Sequence, residues 1–106
     1  MALQKKIVLE ALRRVVMKTP VLIGRARGNW QSSIHTPAED VLATVDPSGQ
    51  ETIAKGVAVL EQLPAYSIFW ISNNLEYIEY LEAGSSQQAP AGMVSLTVAE
   101  LSEMFN

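Results

Sequence analysis

One histidine, no cysteine and eleven acidic residues are the groups this chain offers to catalysis or metal binding. His35 stands alone at the end of an alternating segment, so a zinc site would have to take its other ligands from carboxylates. Glu39 and Asp40 are adjacent, and Glu76, Glu79 and Glu82 recur every three residues. Carboxylates so spaced can hold a hard cation, but the same spacing describes a solvated acidic helix face. No nucleophile elbow, phosphate loop or dinucleotide fingerprint occurs, and no acid–base pair stands out. The sequence therefore predicts no enzyme, no cofactor and no metal. A second chemistry lies in Gly24-Arg25-Ala26-Arg27-Gly28-Asn29-Trp30. Arginines between glycines can reach phosphates, and a tryptophan can stack on a base. A nucleic-acid-binding module using Arg25, Arg27 and Trp30 is thus the alternative reading. Against it stand a net charge of −3 and the lack of a second nearby aromatic, and strand parity makes Trp30 a core anchor.

These residues need elements to position them, and 106 residues suffice for a single domain spanning 1–106. With 48% hydrophobic and 18% charged residues, a packed core is expected rather than disorder. The absence of cysteine excludes a disulfide framework. No stretch is apolar for long enough to span a bilayer, and charge interrupts the first ten residues too early for a signal peptide. The chain reads as made in the cytoplasm, with no membrane partner.

The first 18 residues carry an i, i+4 stripe of Leu3, Ile7, Ala11 and Val15, widened by Val8, Leu12 and Val16, which predicts a helix over 2–18 stopped by Pro20. The 24–28 stretch reads as a glycine-bounded loop. Asn29 to His35 alternates as a strand with Trp30, Ser32 and Ile34 on one face, and Val41, Ala43 and Val45 suggest a second short strand. Ser48 and Glu51 have the spacing of a capping box. The helix they would start buries Ile53, Val57, Leu60 and Leu63 and ends at Pro64. Gly56 inside it costs up to about 1 kcal/mol against alanine unless it admits a close neighbour. Tyr66 to Ser72 is apolar on both faces, as in a central strand covered on both sides. After Asn73-Asn74, Leu75, Ile78 and Leu81 follow helical spacing to Gly84. A polar loop covers 85–92, and Val94, Val98, Leu101 and Phe105 predict the buried stripe of a last helix. The fold class expected is α+β: one small domain with a small, mainly antiparallel sheet backed by N-terminal, middle and C-terminal helices.

Charge is sharply divided along the chain. Residues 1–27 hold seven basic groups against one acid, whereas residues 28–106 hold one basic group against ten acids. Such polarity favours head-to-tail attraction between copies, with Lys5, Lys6, Arg13, Arg14, Glu76 and Glu79 as self-association candidates.

Three stretches taken together carry a resemblance. They are Thr19-Pro20 through Gly24-Arg25-Ala26-Arg27-Gly28-Asn29-Trp30, then Ser72-Asn73-Asn74-Leu75 with Tyr77, Leu81, Glu82 and Gly84, and then Gln88-Ala89-Pro90-Ala91-Gly92-Met93-Val94 running into Leu96-Thr97-Val98-Ala99-Glu100. Their order and spacing, across nearly the whole chain, resemble the bacteriophage tail-component and neck proteins, among them tail-completion and head–tail joining proteins. The chain departs from that pattern at Leu22-Ile23, where an Asp-Thr is usual, at Glu76, where a proline is usual, and in its short C-terminal helix. The resemblance implies an α+β virion subunit without catalytic residues. It implies a homo-oligomeric ring, a hexamer, at the head–tail junction, with DNA passing through unbound. Its partners would be a tail tube or tail terminator and a head connector. Under it Arg25 and Arg27 would meet a neighbour's carboxylates or DNA phosphate, and Asn73 and Asn74 would cap the turn. The 87–93 loop would lie against an adjoining ring, with Glu76, Glu79 and Glu82 as lumen candidates.

Overall fold

The buried face of the first helix, Leu12, Val15 and Val16, forms the core with Trp30 and Met93, and Ile53, Ile71, Ile78 and Leu81 pack against it. In this computed structural model the described residues are 2–21, 24–83 and 92–105. Helix α1 (Ala2–Lys18) ends as the sequence predicts, at Thr19-Pro20. The glycine-bounded stretch is not an open loop but one turn of helix, α2 (Arg25–Gly28), entered through Gly24 at φ 80°. Glycine adopts that conformation freely, and a side chain there would be driven into the backbone of Asp46 and Pro47.

Strand β1 (Gln31–Ile34) pairs antiparallel with β2 (Phe69–Ser72), Gln31 opposite Ser72 and Ile34 opposite Phe69. Among the described residues these two strands are the whole sheet. The expected strand at Val41, Ala43 and Val45 is irregular chain with Val41 and Val45 exposed, because side chains rather than a ladder hold it. The expectation that β2 is central and covered on both faces is corrected too. Ile71 packs on the core, while Trp70 on the opposite face is exposed.

Helix α3 (Gln50–Glu61) lies between α1 and β1. Gly56 sets that approach: a Cβ there would overlap Leu12 Cδ2 and come within 2.8 Å of Ser32 Oγ. Its inward line is Thr52, Gly56, Leu60 and, beyond the helix, Leu63. Helix α4 (Ile78–Glu82) is short and starts later than the spacing from Leu75 predicts, with Leu75 itself buried before it. Helix α5 (Met93–Met104) lies along α1. Its buried side chains are Met93 and Thr97. Val94 and Val98, expected in the core, are exposed, because Met93 fills the hole beside Leu12 and Trp30 and rotates the helix by one position. The fold is α+β, a single small domain of helices around a two-stranded antiparallel sheet. Among the described residues no helix is long and apolar enough to cross a membrane.

Candidate functional site

Helix α2 and its flanks form a hub in which the polar side chains of Thr19, Arg27, Asn29 and Trp30 bond to the subunit itself, while Arg25 is exposed. Trp30 is 7% exposed and donates its indole N–H to Thr19 Oγ1 at 2.8 Å. The Thr19 hydroxyl in turn donates to the Val15 carbonyl at 2.6 Å. Tryptophan and threonine thus enter the core with both polar handles satisfied. Arg27 spends its guanidinium on three backbone carbonyls: Thr19 at 2.9 Å, Pro47 at 2.7 Å and Met17 at 3.1 Å. It ties the end of α1 to the start of α3. Arg25 is exposed and makes no ion pair among the described residues.

Asn29 is fully buried. Its amide donates to the carbonyls of Arg25 and Leu42, and its oxygen accepts the Leu42 N–H at 2.7 Å. That pair of bonds imitates a strand partner for Leu42, which is why residues 41–45 need no ladder of their own. Gly28 allows this approach, since a Cβ there would sit 2.9 Å from the Thr44 carbonyl oxygen.

The start of α3 is capped by Asp46 and not by the expected box of Ser48 and Glu51. The buried Asp46 carboxylate accepts the Thr52 N–H and hydroxyl, both at 2.7 Å, and the Gly49 N–H at 3.2 Å. Ser48 Oγ accepts the Gln50 N–H and donates to Asp46, and Glu51 is exposed. Burial alone would raise the Asp46 pKa. The bonds from the Thr52 hydroxyl and N–H, Gly49 and Ser48 outweigh it and hold the carboxyl below its ordinary value.

Of the expected turn caps Asn73 and Asn74, only Asn73 bonds within the turn. Asn73 Oδ1 accepts the Leu75 N–H at 3.2 Å, and its amide donates to the Ala26 carbonyl at 3.0 Å, fastening β2 to α2. Asn74 caps nothing locally; its amide donates to Ala38 and Asp40 across the 37–40 stretch. Glu82 is a cap supplied from a distance. Its carboxylate accepts the Val94 and Ser95 N–H groups at 2.9 and 3.1 Å, at the positive end of α5. Gly92, at φ 83°, donates its N–H to the Glu82 carbonyl.

The basic face is divided. Arg14 and Lys18 both grip Glu100 of α5, at 2.8 and 3.0 Å, and Arg14 also meets Glu10 at 3.4 Å. The hydrogen bond to Glu100 raises the Arg14 pKa, and the bonds from Lys18 and Arg14 lower that of Glu100. Arg14 therefore serves the subunit, while Lys5, Lys6 and Arg13 make no ion pair among the described residues. Glu76, Tyr77 and Glu79 are exposed. Gly84, Gln88 and Pro90, with most of the expected docking loop, lie outside the described residues, as do Leu22 and Ile23.

Compared with family models, with curated proteins and with solved structures, the chain matches none. The hub therefore has to be read on its own chemistry. Its groups are mutually occupied, and among the described residues no three His, Asp or Glu side chains gather where they could hold a metal ion. His35, at φ 74°, is exposed and contributes its carbonyl to the Trp70 indole N–H at 2.8 Å. The one buried side-chain polar atom without a partner among the described residues is Ser32 Oγ, beside Gly56. Sequence reasoning missed Thr19, Asp46, Thr52 and Glu100. Asp46 alone carried a local signal, in the Asp-Pro-Ser-Gly turn before the helix.

Proposed function

We propose that the chain is a structural subunit of a phage neck or tail, a tail-completion or head–tail joining protein that works by assembling into a ring. The observation that carries this is a contrast in how the surface and interior are used. Among the described residues every buried side-chain polar atom except Ser32 Oγ is bonded, yet Leu3, Val41, Val45, Tyr66, Ile68 and Val98 are all half exposed or more. Leu3 and Tyr66 share one apolar groove with Ile7 and Val8, and a contiguous apolar surface of this kind suits contact with other protein. The motif order that resembles the neck and tail family supplies the kind of assembly, a six-fold ring with tail and connector proteins on its two faces. Lys5, Lys6 and Arg13 and the exposed Glu76 and Glu79 supply opposite charges for neighbouring copies.

Sedimentation and electron microscopy of the purified chain test the reading, together with its detection in purified particles. A closed ring that dissociates when Lys5, Lys6 and Arg13 are reversed, and that weakens with added salt, is the expected result. A chain that never exceeds a pair at high concentration and is missing from particles would remove it.

A further inference from the structure

Among the described residues, one edge of the two-stranded sheet has nothing paired to it. The His35 N–H donates to the Ile68 carbonyl at 2.9 Å, and the register continues through Ser33 opposite Trp70 and Gln31 opposite Ser72. Antiparallel ladders alternate bonded and non-bonded pairs. Residues 68, 70 and 72 therefore turn their N–H and C=O groups toward β1, while Phe69 and Ile71 turn theirs outward. Among the described residues neither Phe69 nor Ile71 makes a backbone bond to a further element. Natural edges are blunted by proline, lysine, an inward charge or a bulge. Phe69-Trp70-Ile71-Ser72 has none of these, and it is flanked by Ile68 at 60% and Tyr66 at 91% exposure.

We propose that β2 pairs antiparallel with β2 of a second copy about a two-fold axis, making a four-stranded sheet with the two β2 strands at its centre. Self-complementarity selects the partner. One register satisfies every outward group on both strands: Phe69 opposite the other copy's Ile71, and Trp70 opposite the other copy's Trp70. The half-exposed indoles then form a cross-strand aromatic pair. Charge points the same way. The start of β2 lies by the N-terminal end of α1, where Gln4 donates to the Ser67 carbonyl at 2.9 Å and Lys5 and Lys6 follow. Its finish lies by the acids Glu39, Asp40 and Glu76, held there by the Asn74 bonds to Ala38 and Asp40. A two-fold antiparallel pair sets the basic end of each copy against the acidic end of the other, twice. The pair is a state of the free chain and does not rest on the ring reading.

Amide exchange by NMR on the wild-type chain tests it without altering a residue. The Phe69 and Ile71 amides should exchange rapidly in dilute protein and slow by about tenfold or more as concentration rises. The chain has no cysteine, so single substitutions report the register. Under oxidised glutathione, Trp70→Cys should yield a disulfide-linked dimer, since facing Cβ atoms at such a pair are about 5 Å apart. Ser72→Cys should stay monomeric, since four residues of offset hold the two positions about 13 Å apart. Fast exchange at both amides at every concentration overturns the proposal. So does failure of Trp70→Cys to link, or linkage of Ser72→Cys as readily. A ring built through other faces would leave both amides fast, whereas slowed amides in a chain absent from particles would remove the ring and keep the pair.

Discussion

Helix α1 is held on its two sides by opposite means. Toward α2 and α3 most of the bonds are buried or half-buried and most engage backbone: the Trp30 indole on the Thr19 hydroxyl, Arg27 on three carbonyls (those of Pro47 and Met17 at the surface), Asn29 with Leu42 and Asp46 with Thr52. Toward α5 the polar bonds join charged side chains that are partly open to water, with Arg14 and Lys18 meeting Glu100 over the Met93 packing. A buried polar group left without its partner loses the full cost of its desolvation, whereas an exposed ion pair is replaced by water at little loss. The first side should therefore fix the fold, and the second should adjust it and answer to salt.

Asp46→Ala should break the comparison hardest. It strips the cap from α3 and leaves the Thr52 hydroxyl and N–H unpaired in the interior, at a cost of about 3 kcal/mol in urea unfolding. A loss no larger than that of an exposed acid such as Glu51→Ala would mean the buried side is not what fixes the fold. The pH dependence follows from the same bonds. The folded carboxyl titrates below its unfolded value, so its contribution is complete above the unfolded pKa of about 3.9 and is lost as pH falls through the lower folded value. Asp46→Asn should remove that share of the acid-side slope.

Arg27 comes next. Arg27→Ala should cost about 1–2 kcal/mol, because the half-buried Thr19 carbonyl loses a charged donor, while water can replace the donor at the exposed bonds to Pro47 and Met17. Arg27→Lys should recover only part, since an ammonium cannot match a planar fork spread over Thr19, Pro47 and Met17. If Arg27 were instead a contact for phosphate or for a neighbour, both variants would melt like wild type and differ only in binding. Gly56→Ala sharpens the steric side of the argument. Helix propensity alone predicts a gain of up to about 1 kcal/mol, while overlap with Leu12 predicts a loss of about 1–3 kcal/mol. Leu12 is fully buried and Ser32 Oγ closes the other side, so the net should be destabilising by about 1 kcal/mol, read as a lower urea midpoint.

The same division explains what could be read from residue order. Local rules found α1, its stop at Pro20, the paired strands around Ser32 and Ile71, the core role of Trp30 and the close approach at Gly56. They failed where a side chain from far along the chain replaced a local device. Asn29 stands in for a strand partner at Leu42, so alternation at Val41, Ala43 and Val45 was read as a strand that does not exist. Asp46 caps α3 across the turn in place of Ser48, and Glu82 caps α5 from twelve residues earlier. On α5, Val94 and Val98 match helical spacing as well as Met93 and Thr97 do. Only the shape of the hole between Leu12 and Trp30 chooses between them. The arginines of the 24–28 turn looked like a site because sequence gives residue type without giving direction.

Glu100→Gln should have the smallest effect and isolate the ionic side. The amide keeps the length and packing of the side chain but gives up the charge that Arg14 and Lys18 share. At low salt the melting temperature should fall slightly, and in high salt the variant and wild type should converge, because screening weakens a pair that only the wild type has. Glu100 titrates below its ordinary value in the folded chain, so the contribution that the wild type alone possesses is present above the unfolded pKa and fades as pH falls through the folded one. The gap between the two proteins should then close on acidification as it does on adding salt. A gap that persists at high salt, or widens in acid, would show that the Glu100 contact acts through packing rather than charge, and α1 would then be held on both sides by the same means.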